Sequence, residues 1–316
     1  MAQVIGRRLA LALPMLFGMS VLVFLIVHLV PGDPASAVLG LNQTPALVHR
    51  VRVELGLDKP LVVQYVTWLG HLLQGNFGTD YSSNAPIGTL LAQRLPVTIE
   101  LAVGALLVAV VLGVPLGVLA AVRQGRSADA GAQALSLAGI SVPDFWLGIM
   151  LILLFSLGLG ALPSSGWVPL SQDPAENLRH LVLPACALGA GFAAVLIRVT
   201  RAAMLDVLGR DYIRFCRAKG VPERTVILKH GLRNAAIPIT TVVGMQAGYL
   251  LGGAIVVEQV FSLPGVGRLV LDAVLQRDYP VVQAAVLVIG AMFIAVNLLA
   301  DVLYAVLNPR LRVTGG

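Results

Sequence analysis

Residues 198–238 read RVTRAAMLDVLGRDYIRFCRAKGVPERTVILKHGLRNAAIP and hold nine of the 22 Lys and Arg side chains of the chain. Apolar runs of about 20 residues, long enough to cross a bilayer, lie on both sides of it. The stretch is therefore a loop between two membrane spans. Placed on a helix, Leu205, Leu208, Tyr212 and Phe215 share one face, and Arg210, Arg214 and Arg217 fall nearly opposite. Lys219 departs from this pattern where a helix would end. Gly220 suits the left-handed residue that closes a helix, and Pro222 suits the first turn of the next one. The spacing predicts a helix over 205–219, a corner at Gly220 and a second helix from Pro222. A basic loop that merely fixes topology fits the same residues.

Composition agrees with a membrane protein. The 316 residues are 57% hydrophobic and 12% charged, with a mean hydropathy of +0.87. The pI of about 9.7 does not point to nucleic acid, because basic and aromatic residues are not interleaved and the charge sits between spans. Cys186 and Cys216 fall in a span and in the basic loop, which supports neither a disulfide framework nor a metal site. Arg7 and Arg8 before an apolar run, without a small-residue cleavage site, read as an uncleaved signal anchor.

Taken in order, six spans are expected: about Leu9 to Val30, Val97 to Val122, Ala132 to Leu159, His180 to Val199, Ala235 to Val257 and Val281 to Leu307. The fold class is all-α and polytopic. The expected divisions are 1–30 (N-terminus and first span), 31–95 (a more polar segment with short helices starting at Thr44-Pro45 and Pro60), 96–307 (the core, with loop 201–234) and 308–316 (a tail). The second short helix carries Leu61, Tyr65, Trp68, Leu69 and Leu72 on one face, for packing on the protein or the membrane surface. Asn76 to Asp80 reads as a turn, and Arg123 to Asp129 as a tight loop. Pro143-Asp144 interrupts the third span.

One side of the membrane takes 15 Lys and Arg residues, including the basic loop, Arg123, Arg126, Arg310 and Arg312; the other takes seven. Both termini are thus expected in the cytoplasm and residues 31–95 outside. Glu100, Glu258 and Asp301 lie within about two turns of a span end and read as interfacial carboxylates. Asp144 falls deeper, and an ionised Asp facing lipid costs about 2.5–3.5 kcal/mol. It is expected to face other helices or a water-filled cavity. Gln246 and Asn297 are candidates for the same interior, through hydrogen bonds between helices. There is no HExxH, nucleophile elbow or GxxxxGK[ST], and the only lysines are Lys59, Lys219 and Lys229. Uphill transport would need an ion gradient or another subunit.

Several segments stand out in order along the chain: Pro31-Gly-Asp-Pro34, Glu54-Leu-Gly-Leu-Asp58, Gly75-Asn-Phe-Gly78, Arg94-Leu-Pro-Val-Thr98 and Ser141-Val-Pro-Asp-Phe145, then Asp211-Tyr-Ile-Arg-Phe-Cys-Arg-Ala-Lys-Gly220 and Leu232-Arg-Asn-Ala-Ala-Ile-Pro238. Val260-Phe-Ser-Leu-Pro-Gly-Val-Gly267 and Arg277-Asp-Tyr-Pro280 complete the order. Together they resemble one family, the permease subunits of bacterial ABC importers of the dipeptide/oligopeptide/nickel branch.

The resemblance implies the type I importer permease fold and a coupling loop, here Arg210, Asp211, Tyr212, Arg214, Arg217, Ala218, Lys219, Gly220 and Pro222, that docks on a cytoplasmic ATPase. Arg214, Phe215 and Cys216 stand where that loop usually has its acidic residue and first alanines; Gly220 matches. Phe261, Pro264, Gly265 and Gly267 would form an extracytoplasmic loop, and Asp144, Gln246, Glu258 and Asn297 would line the pathway or a subunit interface. The implied partners are a second permease subunit, two ATPases that bind ATP and Mg, an extracytoplasmic solute-binding protein and membrane lipids, with no cofactor or metal in this chain and no nucleic acid. Solutes implied are peptides, or nickel, glutathione or haem. An ion-coupled secondary transporter would show an inverted repeat, and a membrane enzyme a catalytic cluster; neither is visible.

The orientation has a direct check. Cysteines introduced at Ser82 and Ser171 are expected to react with an impermeant thiol reagent added outside intact cells, while native Cys216 stays unlabelled. Labelling of Cys216 from outside reverses the topology.

Overall fold

A peptide group in lipid has no water to bond, so a spanning chain must close its hydrogen bonds within itself. The computed structural model, which describes residues 2–29, 36, 44–54 and 56–307, accordingly consists of helices joined by turns and by two longer non-helical connections, 74–86 and 159–173. The helices are α1 (Ala2–Leu29), α2 (Pro45–Glu54), α3 (Leu61–Leu73), α4 (Ile87–Val122), α5 (Ser127–Ser141) and α6 (Asp144–Leu151). A π-helical stretch, Ile152–Gly158, extends α6. Then come α7 (Pro174–Leu208), α8 (Asp211–Ala218), α9 (Glu223–Thr225), a second π-helical stretch (Val226–Leu232), α10 (Arg233–Val260), α11 (Val266–Gln276) and α12 (Tyr279–Leu307). The Pro31–Pro34 boundary, the Leu55 position of the Glu54–Asp58 motif, Arg310, Arg312 and the 308–316 tail lie outside the described residues. So do the side chains of Arg7, Arg8 and Asp301.

Four described helical stretches are long and apolar enough to cross a membrane: Ile87–Val122, Pro174–Leu208, Glu223–Val260 and Tyr279–Ala300. The expected third span is not one rod. Ser127–Ser141 and Asp144–Gly158 meet at 104°, because Pro143 has no amide hydrogen and forces its neighbour out of the helical region. Val142 is extended, with ψ 123°. In α1 the apolar part is Ala10–Ile26, shorter than the other spans.

Helices also begin earlier than hydropathy alone places them. α4 starts at Ile87, ten residues before the apolar run. α7 starts at Pro174, where Asp173 caps the amides of Ala175 and Glu176 at 3.0 and 3.1 Å. The segment expected as a loop after Phe261 contains a further helix, α11.

The chain divides into two compact units. One holds Ile99–Leu263 and the part from Phe293 onward; the other holds Gly6–Thr98 and Pro264–Met292. In the first, α4, α7 and α10 share a core of Ala109, Ala121, Ala193, Leu196, Met204, Val207, Ala235 and Ile239. Small residues let α4 and α7 approach closely. A methyl group built on Gly113 would stand 2.6 Å from Leu196 Cβ, and one on Gly117 would stand 2.6 Å from Thr200 Cβ and 2.8 Å from the Ile197 carbonyl. The Thr200 hydroxyl at this crossing is buried without a hydrogen-bond partner; no structural reason for it is evident.

In the second unit the start of α4 packs with α11 and α12 through Ile87, Leu91, Val266, Leu269, Val281 and Ala285. Pro264 is partly covered, and Gly265 and Gly267 are buried at the start of α11 rather than free in a loop. Thr98 Oγ1 accepts from the Val266 amide at 2.9 Å. Asp278 accepts from the Tyr81 amide at 2.6 Å and the Val281 amide at 3.2 Å. The face expected on α3 does pack on protein: Tyr65 and Trp68 stand 5.3 and 5.7 Å from Phe24 of α1, ring to ring.

Gly117→Leu is expected to overpack the α4–α7 crossing and destabilise the protein by about 1–3 kcal/mol. Gly131→Ala, where nothing lies within 4 Å of an added methyl, is expected to stabilise by roughly 0.5–1 kcal/mol through helix propensity. Thermal unfolding in mild detergent distinguishes the two.

Candidate coupling surface

The basic loop is helical nearly throughout, but its breaks are not all where periodicity puts them. α7 runs on to Leu208, so the predicted helix over 205–219 is interrupted at Gly209 and Arg210, the latter extended at ψ 150°. The interruption turns α8 relative to α7, and the residues grouped on one face part company. Leu205 and Leu208 pack on the core, whereas Tyr212 is 38% and Phe215 59% exposed. Ile213, fully buried, holds α8 to the protein instead.

The Gly220 corner is where the sequence places it. Gly220 has φ +76°. Its amide donates to the Arg217 carbonyl at 2.9 Å, and the Val221 amide donates to Cys216 at 3.2 Å. These two bonds form a Schellman motif, which satisfies the last carbonyls of α8. Pro222 then caps α9. Across the corner the Arg217 guanidinium grips Glu223 with two bonds, 3.1 and 2.7 Å long. Tyr212 Oη donates to the His230 carbonyl at 3.2 Å, tying α8 to the π-helical stretch.

The outward side therefore carries Tyr212, Phe215 and Lys219, whose ammonium lies 4.6 Å from the centre of the Phe215 ring. Arg214, Ala218 and Pro222 are exposed beside them. The pairs Arg210–Asp206 (2.6 Å) and Arg214–Asp211 (3.5 Å) are solvent-exposed and contribute little to stability. What the surface offers is a pair of aromatic rings in a basic field.

A second anchor was not visible as a pair in the sequence. Arg201 lies on α7 and donates through Nε and Nη2 to the two oxygens of Asp129, at 2.6 and 2.8 Å. Asp129 is 3% exposed and also accepts from the Gly125 amide at 2.9 Å and from Gln133 at 3.0 Å. Four donors meet one carboxylate, two of them in the fork geometry that makes such pairs strong. The contact fixes the 123–126 loop against α7. Arg201 looks like one more topogenic charge in the sequence, and 72 residues separate the partners. No local period marks such a pair.

The pathway candidates separate. Asp144 opens α6 at the 104° break and is half-buried. A methyl built on Gly191 would stand 3.6 Å from its Oδ1. Gln246 donates at 3.5 Å to the carbonyl of Phe192, the next residue. Asn297 bonds the Phe293 carbonyl of its own helix at 2.8 Å and packs on Gly248. Asp144 of α6 and Gln246 of α10 thus meet adjacent residues of α7, while Asn297 of α12 packs on α10. Glu258, roughly 18 Å farther along α10 by helix rise, is fully buried within the chain. It is not an interfacial side chain, because the turn at Phe261–Leu263 folds over the end of α10, with the Leu263 amide donating to the Glu258 carbonyl at 2.8 Å. Phe261 is likewise 1% exposed; its ring fills the space beside Gly148. Glu100, also partly covered, accepts from Asn177 at 3.0 Å.

Comparison with known proteins bears on the whole chain. Residues 113–313 match the family described as binding-protein-dependent transport system inner membrane component. Residues 1–102 match the N-terminal region described for membrane components of binding-protein-dependent transport systems. A putative peptide transport system permease protein of Brucella abortus (strain 2308) is 44% identical over 312 residues, covering 99% of each chain. The glutathione transport system permease protein GsiC of Salmonella typhimurium is 46% identical over the same length and share. Among solved structures, the inward-facing MetNI methionine ABC transporter aligns with a TM-score of 0.57 at 18% identity, covering 69% of this chain and 96% of the other. This last likeness is one of fold.

Replacing Arg201 strands the buried Asp129 carboxylate, and replacing Asp129 takes the partner from a partly buried Arg201 guanidinium. Asp129→Ala and Arg201→Met are each expected to lower the thermal midpoint, and the double variant to lower it by less than the two single effects summed. Additive losses would mean that the two side chains do not act as a unit.

Proposed function

The chain belongs to the family of binding-protein-dependent transport system inner membrane components and is a membrane permease subunit of an ABC importer; from that premise we propose that it forms half of a translocation pathway for di- and oligopeptides or a similarly small peptide-like solute. The names of its relatives support the solute class, one being a peptide and another a glutathione permease. A second permease subunit completes the pathway, an extracytoplasmic binding protein delivers the solute, and two cytoplasmic ATPases supply ATP and Mg. Both termini lie in the cytoplasm of a bacterial inner membrane, and α1 is the sixth span.

The observation that carries the coupling role is the corner at Gly220. A Schellman motif and the Arg217–Glu223 fork hold α8 at a fixed angle, while Tyr212 and Phe215 stay out in solvent. Exposed aromatic rings beside basic side chains have the make-up of interface anchors. Ordered ATPase closure would pull on this surface, and α8 would pass the pull through Ile213 and Tyr212 to the start of the α9–α10 span. Asp144 and Gln246, which meet α7 at Gly191 and Phe192, are the pathway residues of this reading. The open side of Asp144 at the helix break suits the amino group of a peptide or a neighbouring subunit.

No heavy atom lies within 4 Å of a methyl built on Gly220, so substitution there strains the backbone without a clash. A β-branched residue in the left-handed region costs about 1–3 kcal/mol. Gly220→Val is expected to insert at normal levels, to bind the ATPase about tenfold more weakly, and to lose solute-stimulated hydrolysis. Gly220→Asn, which tolerates that conformation, is expected to keep most of both. A pull-down and a hydrolysis assay on the reconstituted complex read the outcome; full coupling in Gly220→Val removes the coupling role.

A further inference from the structure

Inside the unit formed by Gly6–Thr98 and Pro264–Met292 lies a cavity of about 340 Å³. Its walls come from the last turns of α1 (Phe24, His28), from α3 (Gln64, Trp68, His71), from Lys59 just before α3, and from Tyr81, Tyr279 and Gln283. Lys59, His28 and His71 line it, and no carboxylate does among the described residues.

Three details give the space a chemical sign. Gln64 donates through Nε2 to the carbonyls of Lys59 and Leu57 at 2.8 and 3.3 Å, which turns its Oε1 toward His28 Nε2 at 3.1 Å. His28 Nδ1 meets the Phe24 carbonyl at 2.9 Å. Both ring nitrogens thus face oxygen atoms. Gln283 is only 7% exposed, lines the cavity, and makes no side-chain hydrogen bond among the described residues; its amide is left with donors to offer. Burial, with Asp278 and Tyr279 beside it, pushes the Tyr81 phenol up to about 12, so the phenol stays a neutral donor. Asp278 itself is engaged by the amides of Tyr81 and Val281.

The place of the cavity identifies the source of an anion. It sits where the apolar stretch of α1 ends. It is covered by α3, a helix with Tyr65 and Trp68 toward the protein and Val62, Val66 and Leu73 at 73, 62 and 80% exposure on its other side. Such a helix belongs at a membrane surface, the level at which aromatic rings and lipid headgroups meet. We infer that this cavity holds the phosphate-bearing headgroup of an anionic membrane lipid, with Lys59 supplying positive charge and Gln283 and Tyr81 available as donors.

The test uses the full-length chain, purified in mild detergent in the assembly it forms, after incubation with vesicles of phosphatidylglycerol and phosphatidylcholine in equal parts. Native mass spectrometry then reads the lipid retained. The expected result is preferential retention of phosphatidylglycerol that inorganic phosphate does not displace. Lys59→Gln is expected to weaken that retention about fivefold, the effect of one cationic contact near a lipid surface, and Gln283→Leu to weaken it as well. Arg179→Gln, an exposed charge paired with Glu176 outside the cavity, is expected to leave it unchanged. Lys59 is exposed and its replacement leaves the fold intact, so that variant decides if Gln283→Leu does not fold. Equal retention by Lys59→Gln and the parent protein, or equal retention of phosphatidylcholine, overturns the inference. Displacement by inorganic phosphate overturns the lipid source and leaves a free-anion site.

Discussion

The long helices of this protein answer to the requirement that a peptide group in lipid find its hydrogen bond within the chain. Long helices meet it without help, which is why α4, α7, the α9–α10 stretch and α12 dominate the structure. The informative places are those where the helical ladder is interrupted. At Pro143 the missing amide permits the 104° break, and the polar Asp144 takes the freed helix start. At Gly209 and Arg210 the chain leaves one long helix to form α8, and at Gly220 it closes α8 with its carbonyls satisfied. Each break lies where a side chain or a surface is needed that a straight rod cannot present.

The breaks are held, not loose. The Asp129 carboxylate gathers four donors from Gly125, Gln133 and Arg201, and so joins the short loop after α4 to the last turns of α7. The Arg217–Glu223 fork does the same across Gly220. Between them the glycines at 113 and 117 set α4 directly against α7. A displacement of α8 therefore has stiff neighbours to act on.

Much of this was legible in the residues. Apolar run length marked four of the expected spans, because the thickness of a bilayer sets a minimum length that soluble helices rarely reach. Gly220 announced its corner, since a left-handed residue followed by a proline has few other readings. The face of Tyr65 and Trp68 on α3 was legible for the same reason, an amphipathic period in a short helix. The face of Leu205, Leu208, Tyr212 and Phe215 was misleading. Its period runs unbroken through Gly209, and glycine tolerates a helix well enough that the break depends on what Ile213 finds to pack against. Glu258 misled similarly: distance from a span end predicts water, but the Phe261 turn covers it.

By itself, then, the sequence determined the membrane class, the all-helical architecture, the basic loop and its Gly220 corner, because each depends on local chemistry: transfer of apolar side chains, charge beside a bilayer, and the backbone freedom of one glycine. Only the tertiary structure decided the bidentate Asp129–Arg201 pair, the burial of Glu258 and Phe261, the outward turn of Tyr212 and Phe215, and the basic cavity beneath α3. These depend on which surfaces meet across tens of residues, and no period along the chain records the docking of one helix on another.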